Sequence, residues 1–299
     1  MISGALRRLS IQVVAEDTVG YDSPYLGQHG ISILLTAESD AGICRVLVDV
    51  AQNPEALLEN MRLMGIDPHL IDALVLTHCH YDHTRGTARI VAAVGKKDFP
   101  VVAHPGLFRP HFVTEGALRA IGMAPEDAPE CIQAAGGRLL LTRDPLALAP
   151  GLATTGEVLR KTDFETLGMD LKTVVDGRLQ ADAMADDISV IARVAGHGPV
   201  IVTGCSHAGI INIGRHAMAL TGASGIHGII GGLHLLSADD ECIEKTAKGL
   251  LEFNPAWVFA GHCTGFRAQA ALYARFGSRF APIHTGMHLT VDGLSPPSD

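Results

Sequence analysis

Residues 74–86 read LVLTHCHYDHTRG, a run of apolar residues followed by three histidines and an aspartate. His78 and His80 lie two positions apart, so on an extended backbone their side chains point to the same side. Asp82 and His83 come one turn later and can bind a second ion beside the first. Burying so many titratable groups without a shared cation would be costly, and imidazole and carboxylate are donors that zinc prefers. The spacing therefore predicts sites for two metal ions at the end of a buried strand.

Three other apolar runs also end in a turn that contains histidine: VIVTGCSHAG with His207, IIGGLHL with His234 and WVFAGHCTG with His262. In open α/β sheets, ligand sites lie beyond the carboxyl ends of the strands, so we expect the four turns to meet at one rim. A lone histidine elsewhere is usually a hydrogen-bonded core residue. We take that interpretation for five other histidines, namely His104, His197, His216, His227 and His288.

Short runs rich in Val, Ile and Leu, bounded by Gly, Pro or Asp, predict strands. They are residues 31–37, 44–50, 71–78, 99–104, 187–195, 198–205, 226–235 and 255–262. Apolar residues at helical spacing predict helices between them. These are residues 54–65, 209–222, 239–254 and 264–277. The alternation predicts an α/β fold in a single domain over residues 1–299, with an insertion around 105–185 where loops are expected.

The composition narrows the class of protein. Hydrophobic residues make up 47% and charged residues 18% of the 299 residues, which excludes a disordered chain. No apolar run has the length of a membrane span or of a signal-peptide core. The six cysteines form no CxxC pair, and the net charge of −9 is spread without blocks. We therefore expect a cytoplasmic protein that acts on a small molecule and binds neither nucleic acid nor membrane; the oligomeric state is left open.

The segment HCHYDH resembles the HxHxDH signature of the metallo-β-lactamase fold superfamily. Together with GQHGISILL, VIVTGCSHAGIINI, IIGGLHL and AGHCTG, it makes the chain similar to the subgroup of 7,8-dihydropterin-6-methyl-4-(β-D-ribofuranosyl)aminobenzene-5'-phosphate synthase-like proteins. The resemblance implies a four-layer αββα sandwich, with two mixed sheets packed face to face and a binuclear site on the rim. It implies as metal ligands His78, His80, Asp82, His83, His207 and His262.

The resemblance implies two divalent cations, zinc in the first place and iron or manganese as alternatives. The ligand that bridges them stays open. The superfamily usually has an aspartate after a glycine at the end of a later strand, whereas Gly204 is followed here by Cys205. Cys205, a carboxylate such as Asp187, or solvent alone could take that place.

A cation pair lowers the pKa of a shared water from about 15.7 toward neutrality. We therefore predict a metal-dependent hydrolase, or a related transferase, that uses a metal-bound hydroxide on a small anionic substrate such as a pterin, a cyclic phosphate or an ester. Asp82 is expected to hold the nucleophile, and His234 to stabilise negative charge or protonate the leaving group. Arg85, just beyond the ligand loop, is the candidate contact for a substrate anion.

Two neighbours of the motif have predicted supporting roles. Asp49, at a strand end, is expected to orient a ligand imidazole, and Cys79 to pack in the core with its thiol turned away from the histidines. Two other functions remain open, namely a non-haem iron oxidoreductase on the same fold and a metal-stabilised binding protein without turnover.

Overall fold

Two seven-stranded mixed sheets form the centre of the computed structural model, which describes residues 2–168 and 170–294. In the first sheet, four antiparallel strands are followed by parallel ones. Its order is β18 (His288–Asp292), β1 (Arg8–Ala15), β2 (Ser32–Ser39), β3 (Gly42–Val48), β4 (Ala73–Val75), β5 (Phe99–Ala103) and β8 (Gly137–Leu141).

The second sheet has a parallel half and an antiparallel half. Its order is β17 (Phe280–Pro282), β16 (Trp257–Gly261), β15 (Gly228–Gly232), β14 (Pro199–Thr203), β13 (Val190–Arg193), β10 (Leu152–Thr154) and β9 (Ala147–Ala149). All eight predicted strand runs lie in these two sheets. The periodicity did not single out β1, β17 and β18, which pair at or near the outer edges.

Helices cover the outer faces of both sheets. They are α1 (Pro54–Leu63), α2 (Tyr81–Thr84), α3 (Thr87–Val94), α4 (Pro129–Ala134), α5 (Ile210–Thr221), α6 (Asp240–Glu252) and α7 (Phe266–Phe276). The four predicted helices correspond to α1, α5, α6 and α7. Local signals set their starts: the side chain of Asn53 caps α1 ahead of Pro54, and that of Asp239 caps α6.

Three apolar clusters define the layers. One lies between the sheets and joins Leu35 and Val46 of the first sheet to Val202 and Ile230 of the second. The other two lie outside, where α1 and α3 pack on the first sheet and α5, α6 and α7 pack on the second. The predicted four-layer αββα sandwich is therefore confirmed. Because both sheets are covered on both faces, their central strands are continuous apolar runs.

The stretch 105–185, predicted to consist mainly of loops, holds regular structure. Strand β8 completes the first sheet, and β9 and β10 extend the second. A third, four-stranded sheet has the order β12 (Arg178–Ala181), β11 (Leu171–Val175), β6 (His111–Val113) and β7 (Arg119–Ala120). These strands have two to five residues, and β7 and β12 are exposed throughout, so the segment lacks a strong apolar period. That residues 1–299 form one domain stays a prediction.

Across residues 2–168 and 170–294, no helix combines the length and the apolar character that a membrane crossing requires.

The core between the sheets can be tested at Leu35, which has no exposed surface. Leu35→Ala should lower the free energy of unfolding by about 2–5 kcal/mol, because it leaves a cavity between two packed sheets. Urea denaturation measures this change. The matched control is Leu159→Ala, whose side chain is 67% exposed. Equal effects of the two substitutions would contradict the placement of Leu35.

Candidate metal centre

The turns that carry the histidines meet at the carboxyl ends of strands from both sheets. The motif follows β4, and Cys205, His234 and His262 follow β14, β15 and β16. Non-glycine residues at these strand ends adopt left-handed backbone, which costs on the order of 1–3 kcal/mol each. They are Asp49 (φ 59°), Ser206 (φ 62°), His234 (φ 49°) and His262 (φ 49°). These residues belong to the turns after β3, β14, β15 and β16, and with the motif after β4 these turns end at one rim.

A first cluster of donors consists of His78, His80 and His207, with one nitrogen of each ring within 4.8 Å of the others. His207 Nε2 lies 3.2 Å from His80 Nδ1. His78 Nε2 is buried and has no hydrogen-bond partner among the described residues. Burial, followed by neighbouring imidazoles, holds the pKa of His78 well below its usual range. Neutral imidazole nitrogens that converge at this distance are donors that a divalent cation can use, so these residues fit a metal ion.

A second cluster consists of Asp82, His83 and His262. Asp82 Oδ2 lies 3.2 Å from His262 Nε2 and 3.6 Å from His83 Nε2, and the two imidazole nitrogens are 3.3 Å apart. Burial alone would raise the pKa of Asp82, but His83 and His262 outweigh it and hold that pKa well below its usual range. An ionised carboxylate and two imidazoles therefore face one point, and they fit a second cation.

Of the two bridging residues considered, Cys205 lies between the clusters. Its Sγ is 3.1 Å from His83 Nε2 and groups within 4.8 Å with His78 and His83. Asp187 instead accepts a hydrogen bond of 2.6 Å from the backbone N–H of Ala208, and burial raises its pKa to about 7. The geometry favours Cys205 as the bridging side chain and gives Asp187 a role in holding the loop of His207.

The carboxylate of Asp49 orients the first metal loop. Its Oδ2 accepts from His83 Nδ1 at 2.7 Å and from Thr77 Oγ1 at 2.7 Å, and Thr77 Oγ1 lies 3.0 Å from His78 Nδ1. When Nδ1 of each ring carries the proton, Nε2 of His78 and Nε2 of His83 present lone pairs to the site. The predicted contact between Asp49 and a ligand imidazole is confirmed.

Asp17 plays the same part for the second cluster, and no local pattern in the sequence predicts it. Its two oxygens accept from His262 Nδ1 at 2.5 Å and from His29 Nδ1 at 2.8 Å. His29 Nε2 in turn lies 3.4 Å from Asp82 Oδ2. The contact between Asp17 and His262 spans 245 positions, so only the meeting of the two sheets reveals it.

The clusters open into a cavity of about 440 Å³. It is lined by Asp17, His29, His80, Tyr81, Asp82, Arg119, Ile121, Cys205, His207, His234, Leu236, His262 and Cys263. His234 stands in this wall as expected, with its ring centroid 4.1 Å from that of His207. Arg119 and Ile121 come from β7 and the residue after it, so the third sheet contributes a wall of the cavity.

Two expectations need correction. Arg85 does not line this cavity; its guanidinium lies over the Tyr81 ring, 5.4 Å from the centroid, and lines a separate cavity with Glu126 and Asp127. The end of α2 turns Arg85 outward. Arg119 is the arginine that lines the cavity instead.

Of the five histidines taken as core residues, only His104 is buried; His197, His216, His227 and His288 are partly or largely exposed. Cys79 is fully buried in the core, as predicted.

Paired mixed sheets, with histidine and aspartate donors on their common rim, define a metallo-β-lactamase-type protein. A family model described as the beta-lactamase superfamily domain matches residues 44–141. Over 288 residues the chain is 38% identical to the 7,8-dihydropterin-6-methyl-4-(beta-D-ribofuranosyl)-aminobenzene-5'-phosphate synthase of Methanocaldococcus jannaschii, which covers 95% of this chain and 97% of that protein. The chain therefore belongs to the metallo-β-lactamase superfamily and, within it, to the family of this synthase.

Solved structures agree with this assignment. Tm1679, described as a metal-dependent hydrolase of the beta-lactamase superfamily, aligns with a TM-score of 0.77 at 26% identity, over 95% of this chain and 99% of that one. The metallo-beta-lactamase fold protein YhfI from Bacillus subtilis aligns with a TM-score of 0.56 at 14% identity, over 95% and 100% of the two chains, and shows the fold alone. The resemblance inferred from HCHYDH and its companion segments is thus confirmed.

The close approach of the two sheets can be tested at Gly204. A Cβ there would overlap Thr77 Oγ1 and lie 2.7 Å from Asp49 Oδ2. Gly204→Ala should displace the Asp49 carboxylate and lower zinc affinity about 10- to 100-fold, the range seen when outer partners of ligands are lost. Competition with a chromophoric chelator measures the affinity. Gly20→Ala, where the nearest atoms lie at 3.5 Å, should change nothing; an unaltered affinity in Gly204→Ala would refute the contact.

Proposed function

We propose that this protein is a metal-dependent hydrolase, or a related transferase, that acts on a small anionic substrate. The observation that carries the proposal is the convergence of two donor clusters from separate turns, the first with His78, His80 and His207 and the second with Asp82, His83 and His262. Two divalent cations, zinc before iron or manganese, would be held there and would acidify a water and polarise the substrate oxygen under attack.

Asp82 and His234 act on the reacting groups in this proposal. The low pKa of Asp82 keeps it ionised, so Oδ2 accepts a hydrogen bond and orients the attacking water. His234 donates from Nε2 to the carbonyl of Leu167 at 3.2 Å, and its buried Nδ1 has no partner among the described residues. Burial alone would lower the pKa of His234, but Cys263 and the Leu167 carbonyl outweigh it and raise that pKa. In the protonated ring Nδ1 also carries a hydrogen, which it can donate to the leaving group or to the developing negative charge.

The cavity wall supports a substrate with a charged end and a flat apolar part. Arg119 is the cationic side chain of the lining, and Tyr81, Ile121 and Leu236 provide apolar surface around it. Guanidinium binds phosphate or carboxylate through parallel hydrogen bonds. Since the synthase relative is named for a dihydropterin and a 5'-phosphate, a pterin-like phosphate is the first substrate class to test, followed by cyclic phosphates and esters.

The central test is metal-dependent turnover. Stripped protein should gain activity as zinc, manganese or iron(II) is titrated, with phosphodiester, lactone, β-lactam and pterin phosphate substrates followed in parallel. Asp82→Asn should lower kcat by about 100-fold or more, because the neutral amide cannot take up the proton of the attacking water. The matched control is Asp40→Asn, whose side chain is 95% exposed. The absence of turnover with every metal would count against catalysis.

Two other outcomes of this titration favour the alternatives. Iron in the purified protein, with visible absorption and oxygen-dependent chemistry, would favour the oxidoreductase. Tight binding of a pterin phosphate without turnover would favour a ligand-binding protein.

Substitutions at two arginines test which side chain contacts the substrate anion. Arg119→Ala should raise KM for a phosphate-bearing substrate about 10-fold or more and leave kcat less affected, because the lost hydrogen bonds are made in both the ground state and the transition state. Arg85→Ala is the control, since Arg85 lies outside the cavity. Steady-state kinetics measures both. A larger effect of Arg85→Ala would restore the assignment made from the sequence.

A further inference from the structure

A histidine outside both donor clusters touches one of their members. His111, on β6 of the third sheet, places its Nε2 3.0 Å from His80 Nε2. Both side chains are buried, and the two rings are tilted by 37° with centroids 4.9 Å apart. The opposite nitrogen of His80, Nδ1, is the one that faces His207. His111 therefore lies behind His80, on the side away from the candidate metal.

The far side of His111 is held by a charged pair. His111 Nδ1 lies 2.7 Å from Asp182 Oδ2, and Arg109 holds the same carboxylate at 2.5 Å and 3.0 Å. The backbone N–H of Met184 donates to Asp182 Oδ1 at 2.8 Å. Burial alone would raise the pKa of Asp182, but His111 and Arg109 outweigh it and hold that pKa well below its usual range. Asp182 is thus ionised and can only accept hydrogen bonds.

These contacts determine where the protons lie. A neutral imidazole has one N–H donor and one acceptor nitrogen. Because Asp182 only accepts, the proton of His111 lies on Nδ1, and its Nε2 must accept. His80 must then donate from Nε2, which leaves a lone pair on Nδ1.

We infer that His111 is a positioning residue that locks His80 in the tautomer with its proton on Nε2, so that Nδ1 presents its lone pair to the metal. The inference deepens the proposed function and rests on it. Three other donors have an acceptor for the outer N–H, namely Thr77 for His78, Asp49 for His83 and Asp17 for His262. At His80 an imidazole takes this place, with the carboxylate one step further out.

The contacts from His80 through His111 and Asp182 fix the tautomer of His80 and do not conduct protons. They end at Arg109, which also pairs with Asp186 at 2.8 Å and does not lose its proton in proteins. A metal between His80 and His111 is the competing interpretation, because Cys79, His80 and His111 also bring one donor atom each within 4.8 Å. The nitrogen separation of 3.0 Å is that of a direct N–H···N hydrogen bond.

The tautomer can be read in the metal-free protein. Long-range ¹H–¹⁵N spectra of histidine-labelled protein should show His80 protonated on Nε2 and His111 protonated on Nδ1, with His80→Gln and His111→Gln used to assign the signals. In His111→Leu, His80 should become a mixture of tautomers. A proton on Nδ1 of His80 in the wild type would overturn the inference. This readout needs no metal, so it is decisive even if the proposed function fails.

Metal affinity provides the second test. His111→Leu should lower zinc affinity about 10- to 100-fold, and His111→Gln, whose amide oxygen can still accept from His80, should recover most of the loss. His104→Leu is the matched control, since His104 is buried beside Glu157 and outside the centre. Circular dichroism and urea denaturation establish that each variant is folded.

The outcomes separate the two proposals. If the wild-type protein binds no zinc, the metal centre is refuted, and the NMR spectra alone decide which tautomer His80 adopts. Folded His111→Leu with unchanged affinity refutes the positioning role alone. Loss of one whole equivalent of zinc in both His111 variants would show that His111 is a ligand and would overturn the lock.

Discussion

The carboxylate of Asp49 is the contact on which the arrangement of the histidines depends. It accepts from the backbone and hydroxyl of Thr77 and from His83, and through Thr77 it reaches His78. All of these groups are buried, so each donor left without Asp49 would cost about 1–3 kcal/mol. Gly204 of the second sheet packs directly on this network, where no side chain fits. The same hydrogen bonds thus position the donors and set how closely the two sheets approach.

Charge explains why the donors favour cations. In the first cluster burial keeps the pKa values of His78, His80 and His207 low, which leaves neutral nitrogens at short range. The second cluster adds the ionised carboxylate of Asp82. In a metal-free protein these atoms can share only a few protons, and buried polar atoms without partners destabilise the fold. Divalent cations would satisfy them all, so folding stability and chemistry would depend on the same ions.

The third sheet adds side chains around the two donor clusters. It contributes His111 behind His80 and Arg119 in the cavity wall, whereas the two main sheets supply the six donors that the superfamily signature implies. A shared metal centre can support many reactions, so the residues around it decide the substrate. The cavity beside the clusters is lined in part by Arg119, Ile121, Leu236 and His234.

Local patterns in the sequence were enough to predict the central strands, four of the helices and the turns whose histidines meet at the rim. Spacing within HCHYDH and the apolar runs before His207 and His262 are properties of short segments, and short segments carry their own periodicity. Contacts between segments that are distant in the sequence could not be predicted from such patterns. His111 meets His80 across 31 positions and Asp17 meets His262 across 245, while Arg85, beside the motif in sequence, turns away from the cavity that Arg119 lines. Sequence alone therefore determined which side chains are candidate metal ligands, and the packing of three sheets decided which neighbours orient them. The reason is that hydrogen-bond partners are set by distance in space and not along the chain.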